Sequence, residues 1–103
     1  MRGDVHELKV PRDAKGREQR GNRFAVVVQS DLLPLSTLLV APTSTSARPT
    51  SFRPEVEING KTTYVLAEQA VAVQPERLGR VVAHLSPDEI TAVNAALRTV
   101  LDL

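Results

Sequence analysis

The sequence predicts an α+β domain: a small, strongly curved, mostly antiparallel sheet closed into a barrel, with a C-terminal helix packed across it. Three observations carry that expectation. Short apolar runs, each too brief for an ordinary helix, recur along most of the chain between polar loops. An Asn59-Gly60 pair splits an alternating segment where a hairpin turn would stand. From Ser86 onward the apolar period changes from that of a strand to that of a helix. The 103 residues fit one domain, 1–103, which would bury about 60–65% of its unfolded surface.

Taken in order, "DVHEL" opens the chain's first alternating segment, "FAVVVQ" is a continuous apolar run bounded by polar loops, and "STLLVAP" is a third run of strand length. "FRPEVEINGKTTYVLA" reads as a hairpin in which Val56 and Ile58 alternate with Glu55 and Glu57, the turn takes positive φ at Asn59-Gly60, and Tyr64 to Ala67 returns. Pro54 belongs at a sheet edge or a bulge. "AVAV" and "GRVVAHL" are further strands, separated by "QPERL" as one tight helical turn. At "SPDE" a helix starts, with Ser86 as N-cap, Pro87 in the first helical position and Glu89 completing a capping box. Ile90, Val93, Leu97, Val100 and Leu101 then form a stripe that should lie on the sheet.

Composition narrows the classes available. Only Phe24, Phe52 and Tyr64 are aromatic, so the core must be aliphatic and stacking surface is scarce. The absence of cysteine excludes a disulfide scaffold and thiolate metal sites. No apolar stretch has the length of a bilayer span, and the polar N-terminus lacks the apolar middle of a signal peptide, so the expectation is a soluble cytoplasmic protein. A net charge of +1 conceals an uneven distribution. Pro11 to Arg23 holds five cations against two acids, and Thr43 to Arg53 holds two cations and no acid, so the remaining residues sum to −4. Two basic loops brought together by the fold would attract an anion.

The order "RGDV", "GREQRGNRFAVVVQSD", "LLVAPTSTS", "LAEQAVAV" and "RVVAHLSPDEITAVNAALRTVLDL" resembles the MazF/PemK (Kid-like) toxins of bacterial toxin–antitoxin systems. The resemblance spans essentially the whole chain, and its most specific element is G-x-E-Q-x-G-x-R running straight into an apolar strand. It implies an SH3-like barrel with the C-terminal helix across it. It also implies a sequence-specific, metal-independent endoribonuclease that uses no cofactor and cleaves single-stranded RNA by attack of the ribose 2′-hydroxyl. Residue by residue, Arg23 falls on the family's catalytic arginine, and Ser44 falls where most members carry a catalytic threonine, with Thr45 as a second hydroxyl. Glu18 and Gln19 match the glutamate and glutamine of the loop bordering the RNA, and Glu68 and Gln69 match a later acidic residue plus glutamine. Arg17, Arg20, Arg48, Phe52 and Arg53 of the two basic loops complete the expected RNA contacts.

The residue types suit that chemistry. A guanidinium at the rigid end of a strand can fork two hydrogen bonds onto a phosphoryl group, and neighbouring hydroxyls can add more. Glu18 could take the 2′-hydroxyl proton, while the high pKa of arginine favours an electrostatic role for Arg23. Three positions depart from the family pattern: Phe24 replaces a proline that commonly follows the arginine, Ser44 replaces threonine, and His6 replaces an aromatic residue. Loss of the proline would let Arg23 wander unless Phe24 compensates by packing or stacking.

Each residue also has a structural role available to it. Arg23 could be a strand-end cation reaching for water, Ser44 to Ser46 could cap loop backbone, Glu18 could balance its arginines, and Glu68 could anchor a strand end. A gyrase-targeting toxin of the same fold, a catalytically weakened relative that binds RNA or antitoxin, and a protein-interaction module therefore remain as alternatives. The partners implied are RNA, a cognate antitoxin and, by the family's habit, a second copy. The apolar "FAVVV" and "LLV" runs present more aliphatic surface than one helix covers, which predicts that part of it meets that copy in a homodimer.

Overall fold

The computed structural model describes residues 1–9 and 23–103, and among them the short apolar runs are strands, as their lengths and β-branched content predict. They are β1 (Asp4–Leu8), β2 (Phe24–Val27), β3 (Leu38–Ser44), β4 (Glu55–Ile58), β5 (Lys61–Val65), β6 (Val71–Val73) and β7 (Leu78–His84). One helix follows, α1 (Pro87–Leu101). All described pairings are antiparallel, in the order β4-β5-β3-β2-β1-β7, and β6 shares the free edge of β3 with β5. Register shifts between β1 and β7 on either side of His6 add the local twist that curls the sheet. Two boundaries differ from the sequence reading. β3 begins at Leu38 and runs on through Ser44, and β5 begins at Lys61 and stops at Val65, where residues 67–69 form a 3-10 turn.

The hairpin turn is built as its sequence dictates, with Asn59 and Gly60 both at positive φ (52° and 83°) and Ile58 paired with Lys61. "QPERL" supplies a 3-10 turn at Pro75–Arg77. Pro54 immediately precedes the edge strand β4, and its carbonyl accepts from Val65 N–H at 3.0 Å. At α1 both halves of the capping box are present: Glu89 N–H donates to Ser86 Oγ and Ser86 N–H donates to Glu89 Oε1.

β2 explains why its run is apolar without interruption. Val26 and Val28 belong to the main core with Val5, Val65, Leu85 and Val93, whereas Ala25 and Val27 join Val40 and Val73 in a second cluster on the other face, flanked by Leu8, Leu38 and Leu78. "FAVVV" is thus covered by its own chain, which corrects the expectation that it needs a second copy. The helix stripe is corrected at its far end. Val93 and Ala96 are buried and Ile90 and Leu97 half-buried, but Val100 and Leu101 are 37% and 60% exposed. Fifteen residues of helix extend about 22 Å, and the last turn overhangs the sheet.

Three contacts lock the ends of this shell. Gly3, at φ 92°, donates to Val27 O and accepts from Leu85 N–H, and a Cβ there would come within 2.9 Å of Ile90 Cδ1. Arg2 reaches Val28 O (2.9 Å) and Asn94 Oδ1 (2.7 Å), tying the residue that follows β2 to α1. Glu89 Oε2 accepts from Glu57 N–H at 2.9 Å, so the side chain that caps α1 also engages the outer edge of β4.

Candidate active site

The register of β2 against β3 decides where Arg23 stands. Ala25 pairs with Pro42, Val26 with Ala41 and Val27 with Val40; extending the same register by two residues sets Arg23 opposite Ser44. Two backbone anchors hold that end of the sheet. Leu8 N–H donates to Arg23 O at 2.8 Å, and Thr43 Oγ1 donates to Phe24 O at 3.4 Å. The missing proline therefore does not free Arg23: β1 pins its carbonyl, and the half-buried Phe24 ring packs against the main core.

On the other side of β3, β5 pairs Ser44 with Tyr64 and Thr43 with Val65, which brings the β4–β5 hairpin round to face Arg23. Between them lies a pocket of about 240 Å³. Arg23, Phe24 and the hydroxyl run Thr43 to Ser46 form one wall; Ile58, Lys61 and Thr63 of the hairpin form the other. Two cations and five hydroxyls line it, and no carboxylate does so among the described residues. Such a lining accepts an anion.

Two polar atoms in this lining are buried with no hydrogen-bond partner among the described residues, Arg23 Nε and Thr63 Oγ1. An orphaned buried polar group costs about 1–3 kcal/mol, so a ligand that hydrogen-bonds to these atoms would be favoured. Ser44 is oriented by its own turn, its Oγ accepting from Ser46 N–H at 3.2 Å and lying 3.3 Å from Ser46 Oγ.

The structure brings Arg23, Ser44 and Thr45 together in the lining of this pocket. Arg17, Glu18, Gln19 and Arg20 lie outside the described residues. Arg48, Phe52, Arg53, Glu68 and Gln69 do not line the pocket. Arg53 Nε and Nη2 both donate to Glu68 Oε2 (3.0 and 2.6 Å), Nη1 reaches Arg48 O (3.4 Å), and the guanidinium carbon lies 5.6 Å from the Phe52 ring centroid. The hydrogen bonds from Arg53 hold the Glu68 carboxyl below the usual carboxylate range against the opposing effect of burial. Half the positive charge of the second basic loop is thus matched, with Glu68 as anchor. Gln69 ends the 3-10 turn, exposed.

His6 and His84 form no acid–base pair. His6 Nδ1 lies 2.9 Å from Gly79 O, and His84 Nδ1 lies 2.6 Å from Asp4 Oδ1. Sequence reasoning missed Lys61, Thr63, Thr43 and Ser46. The period of two places Lys61 and Thr63 on one face of β5, but only the curl of the sheet turns that face towards Arg23.

The sequence model of the PemK-like, MazF-like toxins of type II toxin–antitoxin systems matches residues 1–101. A Mycobacterium tuberculosis strain H37Rv protein to which a toxin role is ascribed, Rv3098A, is 38% identical over 104 residues, covering 100% of this chain and 98% of that one. The chain belongs to the PemK/MazF family of type II toxin–antitoxin toxins. Solved structures share its curled sheet and single C-terminal helix. An endoribonuclease from a mycobacterial species, in complex with its cognate antitoxin, superposes with a TM-score of 0.82 at 19% identity over 100% of this chain and 95% of that one. The M. tuberculosis toxin MazF-mt6 gives 0.78 at 18% identity over 97% of each chain, and MazF from Deinococcus radiodurans gives 0.77 at 21% over 99% and 96%.

Proposed function

We propose that this family member is a sequence-specific endoribonuclease that cuts single-stranded RNA in the cytoplasm and is held in check by a cognate antitoxin. The observation that carries the reading is the register-matched pair Arg23 and Ser44 at the mouth of a pocket lined by cations and hydroxyls. In the reaction the ribose 2′-oxygen attacks the adjacent phosphorus, the P–O2′ bond forms, the P–O5′ bond breaks, and a 2′,3′-cyclic phosphate and a 5′-hydroxyl result. Charge accumulates on the non-bridging oxygens. Arg23 meets it with a forked pair of hydrogen bonds, and Ser44 and Thr45 add hydroxyl donors from a turn already in place, so little reorganisation is needed. Glu18 takes the 2′-hydroxyl proton, and the departing 5′-oxygen takes up a proton from water. This chemistry needs no cofactor or metal, because guanidinium and hydroxyl donors supply the electrophilic side.

Active protein is a homodimer in this reading. The aliphatic surface available for it is not "FAVVV" but the exposed Leu32, Leu33 and Leu35 loop together with Leu39 and Val71, and light scattering across dilution tests the stoichiometry. The decisive experiment is incubation with a long single-stranded RNA in EDTA, with the product ends identified. Cleavage with cyclic-phosphate ends is expected, and Arg23→Ala should lower its rate about 10²–10³-fold with the native circular dichroism retained. Cleavage of a substrate whose scissile ribose is 2′-deoxy, or a fully active Arg23→Ala, would overturn the mechanism.

A further inference from the structure

We propose that the β4–β5 hairpin is the second jaw of the RNA site: Lys61 grips a phosphate flanking the scissile one, and the buried Thr63 hydroxyl hydrogen-bonds the nucleotide that fills the pocket. This rests on the ribonuclease reading above.

Four observations point there. Thr63 is 3% exposed and is one of the residues lining the pocket, and its buried Oγ1 has no partner among the described residues. A hydroxyl is both donor and acceptor, so a base edge or a ribose oxygen can satisfy it equally well. Lys61, two residues earlier on the same face of β5, is exposed and forms no ion pair among the described residues. Its ammonium is a mobile point charge suited to a phosphate whose position varies with the bound nucleotide, where the planar fork of Arg23 suits the single geometry of the reacting centre.

The hairpin is also rigid enough to position a substrate. Its turn is set by Asn59 and Gly60, Val56 and Thr63 are directly paired, and β4 is tied to the helix cap by Glu57 N–H on Glu89. Ile58 and Phe24 supply apolar surface between the two jaws, where a base can shed water. By contrast Arg53, the cation that the sequence singles out in the neighbouring loop, already has its guanidinium on Glu68.

The test uses two measurements on the full-length protein. A mixed-sequence single-stranded RNA is cut and its cleavage site mapped; a 2′-deoxy version blocked at that site then reports binding without turnover. Lys61→Ala should flatten the dependence of log affinity on log salt by about 0.7, the loss of one single-strand phosphate contact. Thr63→Val is nearly isosteric and removes an orphaned hydroxyl, so its melting temperature should not fall. It should nonetheless raise KM and weaken binding about 5–10-fold with kcat little changed, and Thr63→Ser should restore both. Active protein whose salt slope survives Lys61→Ala and whose KM survives Thr63→Val overturns the proposal alone, including when those variants weaken antitoxin binding. A wild type that cuts nothing but binds the unmodified RNA with the Lys61-dependent slope overturns the cleavage reading and leaves the hairpin's role standing.

Discussion

Glu89 holds two parts of the molecule with one carboxylate, and replacing it by glutamine separates them. Oε1 accepts from Ser86 N–H at 2.8 Å and Oε2 from Glu57 N–H at 2.9 Å, so both oxygens must be acceptors. Glutamine offers one carbonyl oxygen and one NH2 group, and whichever way the amide is turned, a donor meets a donor. One of the two hydrogen bonds must therefore be lost. Hydrogen bonds to a charged acceptor contribute about 1.5–3 kcal/mol, and both donors lie near solvent, so the lower end applies: Glu89→Gln should cost about 1–1.5 kcal/mol and Glu89→Ala about twice that. For a domain of this size, each kcal/mol lowers Tm by about 4–8 °C.

The penalty should also depend on pH. Burial pushes the Glu89 carboxyl upward, but the backbone N–H groups of Ser86 and Glu57 outweigh it and leave the pKa below its ordinary value. A carboxyl depressed in the folded state stabilises fully above the unfolded pKa, about 4.3, and that stabilisation is lost as pH falls through the folded value. The gap between wild type and Glu89→Gln should therefore be full at pH 7 and smaller at an acid pH below the ordinary carboxylate range. Urea titrations followed by circular dichroism at both pH values measure it, with the m-value unchanged. A glutamine variant as stable as wild type at pH 7 would refute the claim that this carboxylate joins β4 to the helix cap. Because β4 carries one jaw of the pocket, Glu89→Gln should also weaken RNA binding.

Two further outcomes follow from the site. Ser44→Ala should lower RNA cleavage about 10–10²-fold, less than loss of Arg23 because one neutral donor is removed, while Ser44→Thr should keep the activity; single-turnover rates decide it. Glu68, whose carboxyl the Arg53 guanidinium holds down, should keep the Thr50–Arg53 turn closed above the ordinary carboxylate range and release it as pH falls below. Amide protection in that turn should then drop on acidification in wild type and be low at every pH in Glu68→Gln; equal protection in the two proteins at pH 7 would remove the ion pair from the account.

The local rules of the chain were legible without a structure. The Asn59-Gly60 turn, the capping box at Ser86 and Glu89, the single turn in "QPERL" and the strand character of "FAVVV" depend on backbone sterics and on side chains a few residues apart, which a sequence displays directly. The family pattern also marked Arg23, Ser44 and Thr45, because it rests on residue identities and their order along the chain, which a sequence displays directly. Other properties come from pairs distant in sequence. The register of β2 on β3 sets Arg23 opposite Ser44, the curl of the sheet turns Lys61 and Thr63 towards them, and the fold commits Arg53 to Glu68 rather than to the pocket. "FAVVV" reads the same whether its second face meets a partner or its own β6; only packing shows that Val73 and Leu78 cover it. Sequence by itself determined the elements and the chemical groups available, since both follow from local backbone preference and side-chain identity; which groups face one another was decided by tertiary structure, because contact across strands depends on register and twist that no short stretch of chain encodes.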